Sequence, residues 1–100
     1  MSTQQQVRFT LGQIVATPGA LEALQRNNVT GFDYLRRHAA GDWGIVCDED
    51  KQANEHALRA GARLMSAYFL PDETKLWIIT EATDDEGTRS ATTLLLPDEY

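Results

Sequence analysis

The C-terminal part of the chain contains three consecutive segments of strand-like composition, and these constrain its fold more than any other feature. They run from Leu64 to Leu70, from Lys75 to Ala82 and from Ser90 to Leu96, and they are rich in aromatic, β-branched and apolar residues. Turn-forming residues separate them at 71–74 and 84–87. Parallel neighbours would need crossovers of about a dozen residues or more, so these short connections predict a three-stranded antiparallel β-meander.

The N-terminal part predicts one further strand, preceded by a tail. Residues 1–6 are polar and include three consecutive glutamines, which is typical of a disordered tail. From Val7 to Val15, apolar residues alternate with others until the phase changes at Gly12, which predicts a strand with a bend or bulge at that glycine. With 100 residues and 42% hydrophobic residues, residues 7–100 are predicted to form a single domain.

The clearest local signal in the chain is a helix start at Thr17. Its side chain can cap the helix, and Pro18 occupies the first helical position, where a missing N–H group costs nothing. We expect this helix to bury Leu21 and Leu24. It is predicted to end at residues 27–28, two asparagines that tolerate left-handed backbone geometry.

Two further helices are predicted before the meander. Thr30 is expected to cap a second helix, which ends at Gly41 and has Phe32, Leu35 and Ala39 on its apolar face. Asp48 is expected to cap a third helix that ends near Gly61. Its apolar stripe has steps of three and four residues: Ala53, Ala57, Ala60 and Leu64. The predicted fold class is therefore α+β, with an N-terminal strand, three helices and the meander, and with a single layer of helices on a small sheet.

The formal net charge of −6 is distributed unevenly along the chain. Residues 1–40 carry four basic and two acidic residues, whereas residues 41–100 carry five basic and thirteen acidic residues. A negative surface repels nucleic-acid phosphates, so direct binding of nucleic acid is not expected. The expected partner is a protein, in particular one with a basic surface.

Clustered carboxylates offer a surface for such a partner. The predicted partner-binding carboxylates are Asp48, Glu49, Asp50, Asp84, Asp85 and Glu86, with Asp98 and Glu99 near the C-terminus. They could mimic DNA phosphates and occupy the basic groove of another protein. The alternative interpretation is an ordinary solvated surface, because turns commonly collect Asp and Glu.

Four residues have ligand chemistry and lie close together in the sequence: His38, Asp42, Cys47 and His56. Their spacing matches no short metal-site pattern, so no metal site is predicted. The glycines are scattered and form no phosphate-binding loop, and no cofactor is predicted. The nonchemical interpretation is that His38 caps the carbonyl end of the second helix and that Cys47 is a small buried residue.

A catalytic interpretation is an alternative. General acid–base chemistry could pair His38 with Asp42, Glu81 or Tyr68, a set that a small nuclease-type toxin could use. A nucleophile would have to be Ser66 or Cys47 beside a histidine. Against a nuclease stands the acidic half of the chain, which would repel the substrate, so enzymatic activity is not the favoured interpretation.

Trp43 lies between Asp42 and Gly44, and we assign it to the core or to an interface with equal weight. A third interpretation of the chain is therefore a structural subunit that self-associates, for example as a homodimer, through Trp43 or an exposed sheet face. The single Cys47 cannot form an intrachain disulfide, and no signal peptide or membrane-spanning stretch is recognisable. We expect a cytoplasmic location.

Several segments together resemble a known protein family. They are residues 17–24 (TPGALEAL), 37–38 (RH), 41–44 (GDWG), 66–68 (SAY), 76–82 (LWIITEA) and 92–100 (TTLLLPDEY). This set resembles the short proteins of bacterial plasmids and integrated mobile elements that are commonly labelled plasmid-related protein. Some relatives carry the label of a type I restriction modification subunit, although a chain of 100 residues has no room for a methyl-donor-binding domain. The resemblance implies an accessory protein of a mobile element, with a role against host defence or in element maintenance, and implies no catalytic residue.

Overall fold

The computed structural model describes residues 6–100, which form three helices and a four-stranded sheet. The elements in chain order are β1 (Gln13–Ala16), α1 (Pro18–Arg26), α2 (Gly31–Ala39), α3 (Asp48–Ala60), β2 (Leu64–Phe69), β3 (Lys75–Thr80) and β4 (Ala91–Leu95). A short 3-10 helix, Pro97–Glu99, follows β4. Apart from Gln6, the predicted tail lies outside the described residues.

The sheet is mixed and has the strand order β1-β4-β3-β2. The antiparallel pairings of β2 with β3 and of β3 with β4 are confirmed. The prediction of a three-stranded antiparallel sheet was wrong, because β1 joins the meander as a fourth strand, parallel to β4. Gly12 permits this junction: its φ is +67°, and a Cβ atom there would lie 2.5 Å from the carbonyl oxygen of Arg89.

Helix α1 begins and ends as its sequence predicts, but it buries a different face. The Thr17 hydroxyl accepts the Ala20 N–H at 3.2 Å, and Asn28 after the last turn has a φ of +60°. The buried residues are Ala20, Ala23 and Leu24. The predicted burial of Leu21 was wrong, since its side chain is 56% exposed. Ala23 and Leu24 lie three and four residues after Ala20, so the three share one face of the helix. The two alanines on this face allow the helix to approach the sheet closely.

Helices α2 and α3 also bury faces that differ in part from the predicted ones. On α2, Phe32 was wrongly assigned to the interior and is 73% exposed, while Leu35 and Ala39 are buried with Tyr34 and His38. On α3, the buried residues are Asn54 and Ala57, whereas Ala53 and Ala60 are exposed. The N-cap position of α3 is held by Cys47, which is exposed, and not by Asp48. Gly61 ends α3 in left-handed geometry, as predicted.

The helices lie against one face of the sheet. The main core joins side chains of α1 and α2 with Tyr68, Leu76, Ile78 and Leu94, which alternate along their strands and share that face. A second cluster joins Ala57 of α3 with Trp43 and Leu64. On the opposite face, Trp77 meets the ring of Tyr100 edge-on at 5.7 Å between centroids.

The outer edge of β2 is closed by hydrogen bonds from outside the sheet. The Asn54 side chain donates to the Met65 carbonyl at 2.8 Å and accepts the Met65 N–H at 3.1 Å. Further along, the Ala67 N–H donates to the Trp43 carbonyl at 3.2 Å, and the Ile45 N–H donates to the Ala67 carbonyl at 2.8 Å. The backbone of this edge strand is therefore not open to another chain at these positions.

Candidate functional site

The interior contains a chain of polar side chains centred on His38, which projects from α2 toward the sheet. Its Nδ1 atom lies 2.5 Å from Oγ of Ser66 on β2, and its Nε2 atom lies 2.9 Å from Oγ1 of Thr80 on β3. Oγ1 of Thr80 lies 2.7 Å from Oγ1 of Thr92 on β4, whose hydroxyl donates to the Leu11 carbonyl at 2.7 Å. The four side chains of this hydroxyl chain, His38, Ser66, Thr80 and Thr92, have no exposed surface.

The last acceptor fixes the direction of every proton in the hydroxyl chain. The Leu11 carbonyl can only accept, so Thr92 uses its proton there and accepts from Thr80. Thr80 then accepts from His38, so the proton of the neutral imidazole is on Nε2. Nδ1 is left as the acceptor for the Ser66 hydroxyl. Each hydroxyl proton and each ring nitrogen has a partner, which removes the cost of burying them.

Burial keeps His38 neutral. It lowers the pKa of the imidazole from 6.5 to about 3, and the positive charge of Arg89 acts in the same direction. The guanidinium of Arg89 is itself buried and donates to the carbonyls of Ala57, Ala62 and Glu81, which ties the end of α3 to β3. A second proton on His38 would thus have neither water nor a carboxylate to stabilise it.

The contact between Ser66 and His38 has the form of a nucleophile beside its base, but its position does not fit catalysis. Both side chains are 0% exposed, so a substrate cannot reach them in this conformation. The hydroxyl chain instead connects α2 with three neighbouring strands. The predicted role of His38 as a cap at the end of α2 was wrong, because both of its ring nitrogens bind strand hydroxyls.

The predicted acid–base set is not brought together. Oδ2 of Asp42 accepts from Nε of Arg37 at 2.7 Å, and Oδ1 accepts the Gly44 N–H at 3.2 Å. These hydrogen bonds, with that from Arg37 the stronger influence, lower the pKa of Asp42. Glu81 is exposed, and its backbone carbonyl accepts from Arg89. Neither Asp42 nor Glu81 is a hydrogen-bond partner of His38.

Trp43 belongs to the interior and is not available as a surface anchor. Its side chain is 4% exposed and stacks on Phe9 at 6.1 Å between centroids. Its indole N–H donates to Glu55 at 3.1 Å, and Glu55 also accepts two hydrogen bonds from Arg8, at 2.7 and 2.9 Å. The hydrogen bonds from Arg8 and then Trp43 lower the pKa of Glu55 to about 2. The interface role predicted for Trp43 was therefore wrong.

The carboxylates predicted to bind a partner are all exposed, and apart from Asp98 and Glu99 they fall into two groups. The helix cluster (Asp48, Glu49 and Asp50) forms the first turn of α3, and the turn cluster (Asp84, Asp85 and Glu86) connects β3 to β4. Thr83 donates its N–H to the carbonyl of Gly61 at 2.8 Å, which places the turn cluster near the C-terminal end of α3. The two clusters thus lie near opposite ends of a 13-residue helix, about 20 Å long.

Two of the acidic residues, Asp84 and Glu99, have structural roles. Oδ1 of Asp84 accepts the N–H groups of Glu86 and Thr88, both at 2.9 Å, and so holds its own turn. Glu99 caps α1: its carboxylate accepts from the Thr17 hydroxyl at 2.5 Å and from the Gly19 N–H at 3.0 Å. Within residues 6–100, neither cluster forms an ion pair.

Metal-ligand chemistry is also dispersed. His56 and Cys47 are exposed, whereas His38 is enclosed. No group of three or more His, Cys, Asp or Glu side chains in the described part of the chain could hold a metal ion. A shallow groove of about 230 Å³ lies between the start of α3 and β2, lined by Asp50, Asn54, Arg63 and Met65 with Ala53.

Comparison with protein-family models, with curated proteins and with solved structures finds no match for this chain. None of the helices within residues 6–100 is long and apolar enough to cross a membrane.

Proposed function

We propose that this chain is a protein-binding module that acts without catalysis and presents its acidic surface to a basic surface of a partner protein. The observation that carries this proposal is the pair of exposed clusters near the two ends of α3, whose carboxylates form no ion pairs within residues 6–100. Unpaired charges of one sign attract a complementary surface and speed its encounter. Lys51 follows the helix cluster in the sequence and Arg63 lines a groove with Asp50, but within residues 6–100 neither forms an ion pair with the cluster.

The density of negative charge within each cluster supports a partner that handles nucleic acid. Three carboxylates lie near each end of a span of about 20 Å, so the six charges form two compact negative patches and not an evenly spaced row. A partner surface that neutralises phosphates could accept the carboxylates in their place. We infer that the chain is an acidic inhibitor of such a protein, acting as a DNA mimic.

The resemblance to plasmid-related proteins supports a biological setting. An accessory protein of a bacterial plasmid or integrated element benefits from blocking a host enzyme that handles nucleic acid in defence. This anti-defence role requires a cytoplasmic location, where such enzymes act. The buried position of His38 and the pairing of Asp42 with Arg37 weigh against the alternative of a nuclease-type toxin.

Affinity capture from a bacterial lysate, followed by mass spectrometry, tests the proposal. The bait is the wild-type chain, compared with the Asp85→Lys/Glu86→Lys variant and with Glu49→Lys. Asp84 is left unchanged because it holds the turn. We expect the wild type to capture a protein with a basic surface, in an amount that falls with salt, and both variants to capture much less of it.

A matched control is Glu22→Lys, which reverses an exposed acidic residue on α1. The Glu22 side chain is 81% exposed and belongs to neither cluster. It should capture as much partner as the wild type. Equal capture by all the variants, or capture that does not respond to salt, would contradict the proposal.

A further inference from the structure

The two edges of the sheet differ: residues outside the sheet bind the backbone of β2, whereas within residues 6–100 the outer backbone groups of β1 have no hydrogen-bond partner. Strand β1 is the terminal strand next to β4. In the described part of the chain, no residue binds the outer backbone edge of β1 as Asn54 and the segment at 43–45 bind that of β2. An open edge presents rows of donors and acceptors that another strand can use.

The hydrogen bonds to β4 identify the outward groups. Gln13 donates its N–H to the carbonyl of Ser90 and Thr17 donates to that of Leu94, both at 3.0 Å. In a parallel pair, alternate residues bind the same neighbour, so the N–H and C=O groups of Ile14 and Ala16 point away from the sheet. These two residues supply two donors and two acceptors at the edge.

Strand β1 is only four residues long, and these four residues include no charged side chain and no proline that would block strand addition. From Phe9 to Leu21 the sequence has no charged side chain. Ile14 is 45% exposed and Val15 is 42% exposed. Edge strands are usually protected by lysines, prolines or bulges, whereas β1 presents apolar side chains beside open backbone groups.

We infer that two copies of this chain associate through their β1 strands, which pair antiparallel about a two-fold axis at Val15. In this register, Ile14 of each copy lies opposite Ala16 of the other. Each of these two pairs forms two N–H···O=C hydrogen bonds, which gives four intermolecular hydrogen bonds. Val15 lies opposite its own counterpart. The two four-stranded sheets join into one sheet of eight strands.

Self-complementarity and charge favour a second copy as the occupant. The outward groups of β1 satisfy one another in one register, as an isologous interface requires. The net charge of −6 opposes self-association, but residues 9–21 carry no charge of their own, and the Glu99 carboxylate that meets this stretch binds Thr17 and Gly19, past the end of β1. The helix cluster lies on α3, which contacts β2, about 14 Å or three strand spacings from β1. The dimer therefore keeps the two helix clusters far apart.

Sedimentation equilibrium over a range of protein concentrations tests this inference. Because each copy contributes only four strand residues, we expect association at micromolar concentrations and above, with a limiting mass twice the 11.2 kDa of the chain. Val15→Lys places two like charges opposite each other and should weaken association by about tenfold or more. The control Ile45→Lys alters a side chain of similar exposure, 43%, at the β2 edge and should leave association unchanged.

The backbone contribution is tested separately. Ile14→Pro removes an outward N–H group but none that binds β4, so it should weaken association to at least the same degree as Val15→Lys. Hydrogen exchange of the wild type gives a test that needs no variant: the amides of Ile14 and Ala16 should be protected at high protein concentration and exchange rapidly on dilution. A monomer at every concentration, equal loss in Ile45→Lys, or unchanged exchange of these amides would overturn the inference. Protection that appears only when an extended peptide is added would assign the edge to a different partner and would also overturn it.

Discussion

The Nε2–H group of His38 donates to Oγ1 of Thr80 at 2.9 Å, although the two residues are 42 positions apart and neither is exposed. This contact joins the second helix to the middle of the sheet. It also requires one tautomer and one charge state of the imidazole. The stability of the protein should therefore depend on pH in a range where few other groups titrate.

We expect the protein to lose stability as the pH falls from 7 to 5. The pKa of His38 is lowered from 6.5 to about 3 by burial, so in this range the unfolded chain binds a proton at His38 that the folded chain excludes. The stabilising effect is complete above pH 6.5 and is lost as the pH falls toward 3. From pH 7 to pH 5 the free energy of unfolding should decrease by about 2 kcal/mol, as measured by urea denaturation.

Two variants identify the source of this dependence. His38→Gln should lower stability at pH 7 but give a nearly flat profile between pH 7 and pH 5. His56→Gln alters an exposed histidine on α3 and should keep the wild-type slope. The carboxyl groups of Glu55 and Asp72, whose pKa values are lowered to about 2, lose their contribution only below pH 4.5 and so fall outside the window. A wild-type slope in His38→Gln would contradict the assignment.

Removing the hydroxyl of Thr80 should break the hydroxyl chain at its centre. Thr80→Val keeps the shape of the side chain but leaves the His38 Nε2–H group without an acceptor, which should cost about 1–3 kcal/mol. The control is Thr93→Val, on the opposite face of the sheet, where the half-buried side chain tolerates the change within about 0.5 kcal/mol. Urea denaturation at pH 7 measures both. Equal losses would show that the hydroxyl chain adds no stability.

A methyl group at Gly44 should be far more damaging than one at Gly87. Both glycines have positive φ, +76° and +79°, so alanine carries a similar backbone penalty of about 1–2 kcal/mol at each. At Gly44 the new Cβ would lie 1.9 Å from the carbonyl oxygen of Ala67, whereas at Gly87 no atom lies within 4 Å. We therefore expect Gly44→Ala to cost at least about 3 kcal/mol in total. Thermal unfolding of the two variants tests this, and similar midpoints would contradict the close approach at β2.

The carboxylate of Glu55 should stabilise the fold more through Trp43 than through Arg8. The ion pair with Arg8 is 40% and 41% exposed, so Arg8→Gln should cost only about 0.5–1 kcal/mol, and less at high salt. Glu55→Ala removes the ion pair and also leaves the buried Trp43 N–H without its acceptor. It should therefore cost about 1–3 kcal/mol more than Arg8→Gln. Glu55→Gln keeps an acceptor and should resemble Arg8→Gln. A double-mutant cycle with urea denaturation separates the two contributions, and a Glu55→Ala cost equal to that of Arg8→Gln would refute the role of Trp43.

The sequence predicted the features that depend only on residues close together in the chain. Thr17 caps α1, Gly61 ends α3 in left-handed geometry, and the short connections make the meander antiparallel. The sequence did not predict the features that depend on contacts between distant segments, such as which face of a helix is buried. Leu21 is larger than its neighbour Ala20, yet Ala20 is buried with Ala23 and Leu24 while Leu21 is exposed, because the small side chain allows the helix to approach the sheet closely.

The partner of β1 and the role of His38 depend on the same kind of distant contact. Nothing local to Gln13 indicates that β4 will lie beside it, and the position of His38 near a helix end suggested a cap. One signal was present in the sequence. Ser66, Thr80 and Thr92 are polar residues at inward positions of adjacent strands, and three such hydroxyls imply a buried polar partner.

The parallel pairing of β1 with β4 imposes an order on folding. The meander closes through connections of five and ten residues, whereas Gln13 must meet Ala91 across nearly the whole chain. Closing so long a loop costs entropy that local contacts do not recover, so β1 should dock after β2, β3 and β4 have paired. During synthesis, β1 leaves the ribosome before the other three strands but has no neighbour in the sheet until β4 has emerged. Its uncharged apolar stretch is then the segment of the nascent chain that waits longest for burial.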